Sequence, residues 1–281
     1  MALQLPIPRQ LAFATVRIEC DLEGDAQSVG TGFFFGFDRG APTEFRALVT
    51  NRHVIAGAPC GRLRLTRLGA DGAPLGGEGG VVTLDDFERQ WIRHPDSNVD
   101  LCALPMATVQ TEARRTGLKP FCVALDDSMI PGASELARLS ALEEIIMVGY
   151  PIGLWDRANN MPIFRKGIAA THPSHDYGGR SEFLIDAACF PGSSGSPVML
   201  YHPGLNIKGD QWIKVEGGGP KLRLLGILYA GPQYTIEGEL KLANLPSKPL
   251  PVPISHIPIN LGVAIKAQRL LEFRSALQAI G

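Results

Sequence analysis

Short apolar or alternating runs recur along almost the whole chain, and glycine, proline and aspartate separate them. The first half offers Leu11–Ile18, Thr31–Phe37, Arg46–Thr50, Arg62–Arg67, Gly80–Leu84 and Leu101–Leu104. The second offers Glu144–Gly149, Ile163–Ala169, Glu182–Ala187, Val198–Tyr201, Gln211–Val215, Leu222–Ala230 and Leu261–Ile265. Runs of about five to eight residues bounded by turn residues predict strands, and a succession of them predicts sandwiches or barrels rather than alternating βα units. Two segments read as helix. Ala133–Glu143 lies between the two strand sets, and Lys266–Ala279 places Leu270, Leu271, Phe273 and Leu277 on one apolar face. The join between two β-units falls within Met106–Leu142, and the expected division is residues 1–120 and 121–281. Gly69–Gly80, Pro203–Pro220 and Pro232–Pro258 read as loops, and no internal repeat is visible.

Composition narrows the function. With 281 residues and 45% hydrophobic content the chain can bury one large core or two smaller ones, and 32 glycines and 22 prolines agree with a turn-rich β fold. A net charge of −1 leaves no basic excess to hold nucleic acid. No apolar run approaches the roughly 18–20 residues of a membrane span. Pro6, Pro8, Arg9 and Arg17 interrupt the N-terminal stretch, which therefore reads as mature chain and not as a signal peptide. Five cysteines, an odd number without paired or metal-type spacing, predict free thiols and a cytoplasmic setting. No metal or other cofactor is expected.

Chemistry concentrates in Phe190-Pro191-Gly192-Ser193-Ser194-Gly195-Ser196-Pro197-Val198. Gly192 and Gly195 permit backbone angles closed to other residues, and the two prolines fix the approach and exit. Such a turn can expose a hydroxyl and aim neighbouring N–H groups at one point, as a nucleophile beside an oxyanion hole requires. Alone it is equally an ordinary Gly/Ser surface turn. His53 stands just past the run Ala47–Thr50, and Asp100 opens the run Leu101–Leu104, where burial demands a hydrogen-bond partner such as an imidazole N–H. Each alone also fits a structural role. Together with Ser194 they match the chain order His, Asp, Ser of a known catalytic triad. His172-Pro173-Ser174-His175-Asp176 reads as a surface turn, since Pro173 precludes a helical ligand face, and His94, His202 and His256 read as loop residues near prolines. The glycine-rich loops lack the strand–glycine–Lys–helix context of a phosphate cradle.

Three blocks, Leu48–Ile55, Asn98–Leu104 and Asp186–Pro197, resemble the catalytic blocks of trypsin-like serine peptidases, with the bacterial HtrA-like branch most similar. Gly30–Phe33, Val148–Pro151, Lys166–Ile168, Leu225–Ile227 and Leu261–Ile265 extend the resemblance over nearly the whole chain. It implies an all-β fold of two six-stranded antiparallel β-barrels of the chymotrypsin type, with a C-terminal helix and the site in the cleft between the barrels. It assigns Ser194 as nucleophile, His53 as base, Asp100 as the acid orienting it, and the N–H groups of Gly192 and Ser194 as oxyanion hole. It places Ala188 at the floor of the pocket for the residue before the cut. Leu228, Tyr229 and Ala230 would form the wall and pair with substrate backbone. An apolar floor predicts small or medium aliphatic residues there.

The chain also departs from the family pattern. Ser193 replaces the aspartate of digestive members, no Ile-Val-Gly-Gly N-terminus is present, Ser196 replaces a glycine, and Val54 replaces a cysteine. Activation by the N-terminal salt bridge is therefore not expected, nor is a following PDZ module. The implied partner is a protein or peptide substrate. The alternatives are a binding module on a protease fold, or a latent peptidase that an activating protein partner orders.

Overall fold

The computed structural model describes residues 5–41, 44–77, 79–140, 142–202, 205–208, 211–214, 221–231, 233–237, 254–258 and 260–278. A short helix α1 (Ile7–Ala12) precedes β1 (Thr15–Asp21), β2 (Gln27–Phe37) and β3 (Phe45–Thr50). After one helical turn, α2 (Arg52–Ile55), come β4 (Cys60–Arg67), β5 (Gly80–Asp85), β6 (Ile92–Arg93), β7 (Cys102–Pro105) and α3 (Met106–Arg115). Next follow β8 (Pro120–Phe121), β9 (Leu125–Asp126), α4 (Ala133–Leu136), β10 (Glu144–Gly149), β11 (Ile163–Ala169), β12 (Glu182–Asp186) and β13 (Pro197–His202). The chain continues through β14 (Leu205–Lys208), β15 (Gln211–Lys214), β16 (Lys221–Ala230), β17 (Gln233–Glu237), β18 (Ile254–Pro258) and β19 (Leu261–Lys266), and closes with α5 (Phe273–Gln278).

The fold is mostly β, as expected. The second half is a closed barrel in the order β10-β11-β12-β19-β16-β13. The first half is a curled nine-stranded sheet along β5-β4-β1-β2-β3-β7-β6, with β8 on β4 and β9 parallel to β2. It curls as a half-barrel, and residues 120–126 still belong to it.

Alternation of side chains along each strand sorts the apolar residues into three cores. Phe34 of β2 joins Ile18, Leu48, Leu63 and Val82 inside the first sheet. Its neighbours Phe33, Phe35 and Phe37 face the other way and meet Val148, Met199, Leu224, Leu270 and Phe273 in a core shared by both halves. Ile145, Met147, Phe183, Val198 and Leu225 fill the closed barrel. A strand buried on both faces reads as a continuous apolar run, which is why Gly32–Phe37 carries almost no polar residue. The shared core holds the two halves against one another.

Several elements differ from expectation. Leu11–Ala14 belongs not to a strand but to the end of α1 and the turn after it; Pro6 and Pro8 suit a helix start, and a continuous apolar run has no period to tell the two apart. α3 was not foreseen, although Met106, Val109 and Ala113 mark its buried face. Helix after residue 132 extends only to Leu136, and the C-terminal helix opens as a 3-10 turn over Ala267–Glu272. His202 and His256 sit in strands, not loops. The loops expected at 203–220 and 232–258 lie largely outside the described residues, apart from the hairpins β14–β15 and β17–β18; residues 141, 215 and 279 also lie outside them.

All five cysteines are free, and burial pushes the Cys20 thiol up to about 12 and Cys189 up to about 11. Among the described residues no helix is long and apolar enough to cross a membrane.

Candidate active site

Strand register brings two of the expected residues together. β3 and β7 are antiparallel, with Thr50 opposite Cys102, so the end of one lies beside the start of the other. His53 follows the first and Asp100 precedes the second. The Asp100 carboxylate accepts twice from His53: at Oδ1 from the backbone N–H (3.1 Å) and at Oδ2 from the ring Nδ1 (2.5 Å). A carboxylate only accepts, so Nδ1 carries a proton, and in the neutral ring Nε2 keeps its lone pair. Asn51, fully buried, donates from Nδ2 to the Asp100 carbonyl at 2.8 Å. Arg52 lies with Nε 4.0 Å from Oδ1 and donates to the Ser97 carbonyl at 3.0 Å. The carboxylate is largely enclosed (17% exposed), whereas the imidazole opens to the cleft (47% exposed).

Ser194 arrives from the second half on the turn before β13. Its carbonyl accepts from the Thr31 N–H at 2.9 Å, and the Thr31 carbonyl accepts from Thr50 Oγ1 at 2.6 Å. The glycine–serine turn is thereby tied to the strand end that carries His53. Thr31 Oγ1 also donates to the Gly192 carbonyl and accepts from the Tyr150 N–H, both at 3.0 Å. Among the described residues Ser194 Oγ has no hydrogen bond to His53.

Backbone accounting around the turn is informative. The N–H groups of Ser193, Gly195 and Ser196 donate to Phe190, Leu228 and Ser193 carbonyls. Those of Gly192 and Ser194 have no partner among the described residues. The Pro191 carbonyl accepts from the Ile152 N–H at 2.6 Å, and because that peptide is trans its Gly192 N–H points the opposite way. Both glycines are left-handed, Gly192 at φ +85° and Gly195 at φ +87°. A methyl on Gly195 would overlap the Thr31 carbonyl oxygen and lie 2.5 Å from Thr50 Oγ1. Gly195→Ala is expected to cost on the order of 3 kcal/mol of stability, measured by urea unfolding. A variant within about 0.5 kcal/mol of wild type would show that the turn can be rebuilt.

The remaining expected residues surround this turn. Ala188 is half-buried between the buried Ala187 and Cys189. Leu228 packs in the barrel core with both of those, and its N–H and carbonyl are committed to Ser196 and Gly195. Tyr229 sits at a bulge between the pairs Leu228–Ala264 and Ala230–Val263. Its hydroxyl donates to Glu182 Oε1 at 3.0 Å, and burial together with that carboxylate pushes the phenol up to about 12. His94 and His172 have both ring nitrogens engaged. Each accepts at Nδ1 from a local group, Asp96 N–H or Ser174, and meets a carbonyl, of Arg269 or Leu139, at Nε2. Among the described residues no cluster of His, Cys, Asp and Glu could hold a metal.

Thr31, Asn51 and Ile152 were not singled out from sequence. Asn51 had a signal, a polar residue between an apolar strand and the candidate base. Ile152 had none, since nothing in an isoleucine announces a left-handed backbone.

The model of the trypsin-like peptidase domain matches residues 30–202. The chain belongs to the trypsin-like peptidase family. No curated protein sequence matches this family member. Among solved structures, it is similar to an HtrA-type protease, AlgW, with a tripeptide: 18% identity and a TM-score of 0.50 over 96% of this chain and 62% of that one. The chain thus spans about three-fifths of that structure's length. The Rv3671c protease from M. tuberculosis, in its active form, aligns at 15% identity and a TM-score of 0.46 over 98% of this chain and 84% of that one. At 18% identity the likeness to AlgW is one of fold.

Proposed function

We propose that this trypsin-like peptidase is a serine endopeptidase working through Ser194, His53 and Asp100. The observation that carries the reading is a pair of N–H groups, those of Gly192 and Ser194, without a partner among the described residues, on a turn tied to the strand end behind His53. Ser194 Oγ attacks the peptide carbonyl as His53 Nε2 takes its proton; Asp100 holds the Nδ1–H tautomer and stabilises the imidazolium. The carbonyl oxygen, now an oxyanion, accepts from the two free N–H groups, each worth on the order of 3 kcal/mol in the transition state. Collapse expels the amine with the His53 proton and leaves an acyl-enzyme, which water hydrolyses by the same steps reversed. Orientation of the Pro191–Gly192 peptide by Ile152 favours a site shaped for catalysis at rest over a latent one.

For specificity, Ala188 offers an apolar floor, and Leu228 supports the wall from the barrel core. With Leu228's backbone already committed, pairing with the substrate strand falls to Tyr229 and Ala230. Small or medium aliphatic residues before the cut are expected. A lysine or arginine there would meet the Ala188 methyl at the floor, not a carboxylate.

A fluorophosphonate probe on the purified protein, followed by a peptide-library digest, tests both levels. Labelling at Ser194 with cuts after Ala, Val or Leu is the expected result. Labelling elsewhere would remove Ser194 as the nucleophile, and no labelling would favour a binding module or a latent peptidase, which labelling after addition of a partner would separate. Cuts mainly after Lys or Arg would overturn the specificity alone.

A further inference from the structure

We infer that Arg17, on β1 of the first sheet, is a positioning residue for the oxyanion-hole peptide and acts through the loop at residues 150–155; the role rests on the serine-peptidase reading above. The peptide concerned is Pro191–Gly192. Its carbonyl is held by the Ile152 N–H, and Gly192 packs so closely on this loop that a Cβ would lie 2.7 Å from the Tyr150 carbonyl and 3.1 Å from the Gly153 nitrogen. The direction of the Gly192 N–H is therefore set by where Ile152 stands.

The loop does not hold that position unaided. Ile152 is left-handed at φ +52° and Gly153 follows at φ +67°. For a β-branched residue this conformation is a genuine outlier, kept only where the surroundings impose it. Buried Tyr150 and Pro151 anchor the start of the loop, but the side chains at and after the strained residue do not impose it, because Ile152 is 63% and Leu154 60% exposed. Its internal bonds are two, Gly153 N–H to Tyr150 and Leu154 N–H to Pro151. Nor does a side chain within the nucleophile turn act on the peptide, since among the described residues Ser193 Oγ is buried without a hydrogen-bond partner.

The restraint comes from the first sheet. Arg17 Nε donates to the Gly153 carbonyl at 3.2 Å, directly after the strained residue. Its guanidinium lies 4.1 Å from the centre of the Trp155 ring, which Arg157 and Arg64 also approach at 4.9 and 5.4 Å. Further along, Asn160 Nδ2 donates to Thr66 Oγ1 of β4. The guanidinium is only 11% exposed and pairs with Glu19. Burial, and then Arg64, lower the Arg17 pKa to about 10, which still leaves it charged at neutral pH. A planar cation that stacks on an aromatic face while donating to a backbone carbonyl fixes both the height and the tilt of the loop, which a lysine cannot do. Arg17 thus links the first sheet to the oxyanion peptide across the domain cleft, through Gly153, Ile152 and Pro191.

Removing Arg17 leaves Glu19 paired with Arg62 at 3.2 Å and Arg64 at 3.6 Å, so no buried charge is orphaned. The test combines amide exchange at Ile152 with steady-state cleavage of a peptide ester by Arg17→Ala, Arg17→Lys and Trp155→Ala. Arg17→Ala should speed exchange at the Ile152 N–H at least tenfold. It should also lower kcat by about 10², the scale of one lost oxyanion donor, with KM unchanged. Arg17→Lys should recover part of both, and Trp155→Ala, which leaves β1 untouched, should reproduce the direction of both should Arg17→Ala not fold. Wild-type exchange at Ile152 in Arg17→Ala or Trp155→Ala overturns the inference, as does a loss confined to KM. The exchange measurement needs no substrate, so its failure is separate from failure of the peptidase reading, which would show as absent fluorophosphonate labelling of the wild type.

Discussion

Ser194→Ala should lower turnover of a cleavable peptide by about 10⁶ while leaving the fold intact. The two halves of that expectation have different sources. The contacts that hold the turn are made by backbone: the Ser194 carbonyl to Thr31 and the Gly195 N–H to Leu228. Alanine keeps all of them and loses only a hydroxyl with no hydrogen bond among the described residues, so the thermal midpoint should move by no more than about 2 °C. Chemistry, in contrast, loses the atom that forms the acyl bond, and His53 and Asp100 then have no proton to move. What survives is stabilisation of a water-attacked intermediate by the Gly192 and Ser194 N–H groups, on the order of 10³ over the uncatalysed rate. Rates must be read at high enzyme concentration, with wild-type contamination excluded by prior treatment with fluorophosphonate. Turnover within tenfold of wild type would remove Ser194 from the mechanism.

The parts of this fold legible in the sequence are those where local pattern and tertiary surroundings agree. Glu144–Gly149 and Ile163–Ala169 are strands with the boundaries their patterns predict, because each is a single apolar or alternating run bounded by turn residues. Where one run spans two structures the pattern fails: Leu11–Ala14 ends a helix and turns, and β1 begins at Thr15 with no glycine, proline or aspartate to mark the change. The α3 helix was legible in principle, through Met106, Val109 and Ala113, but it lies inside Met106–Leu142, which reads as the join between the two β-units. The His53–Asp100 pair followed from two strand-end contexts, and antiparallel register explains why those contexts meet. The residues that shape the oxyanion turn were not legible. Thr31 acts through four hydrogen bonds to segments more than a dozen residues away, and Ile152 acts through its backbone. Neither role leaves a mark on the local pattern.

That division has a physical basis. The site's side chains stand at the ends of strands whose pairing is local to one half, so each is predictable from its own run. The turn's geometry is set between halves, by the shared core of Phe33, Val148, Met199 and Phe273 and by Thr31 reaching across to Gly192. Contacts of that kind depend on the final packing of both sheets.

Asp100→Asn should lower kcat by about 10⁴, more than loss of a charge near a half-exposed imidazole would cost by itself. Geometry dictates which way the new amide turns. In the native site Oδ1 accepts from the His53 backbone N–H and Oδ2 faces Nδ1. An asparagine keeps the backbone bond only by placing its carbonyl oxygen at the Oδ1 position, which puts the NH₂ group against Nδ1. Nδ1 must then accept, so the ring proton moves to Nε2, and the nitrogen facing Ser194 is no longer a base. Asn51 and Arg52 remain as neighbours and cannot reverse this, since both present donors. Nitrogen-15 NMR of the imidazole reports the tautomer directly and should show Nε2–H in the variant and Nδ1–H in the wild type. Fluorophosphonate labelling of Ser194 should slow in parallel with kcat, because both require the same proton transfer. An Asp100→Asn protein that retains Nδ1–H, or labels at the wild-type rate, would mean that Asp100 does not set the state of the base.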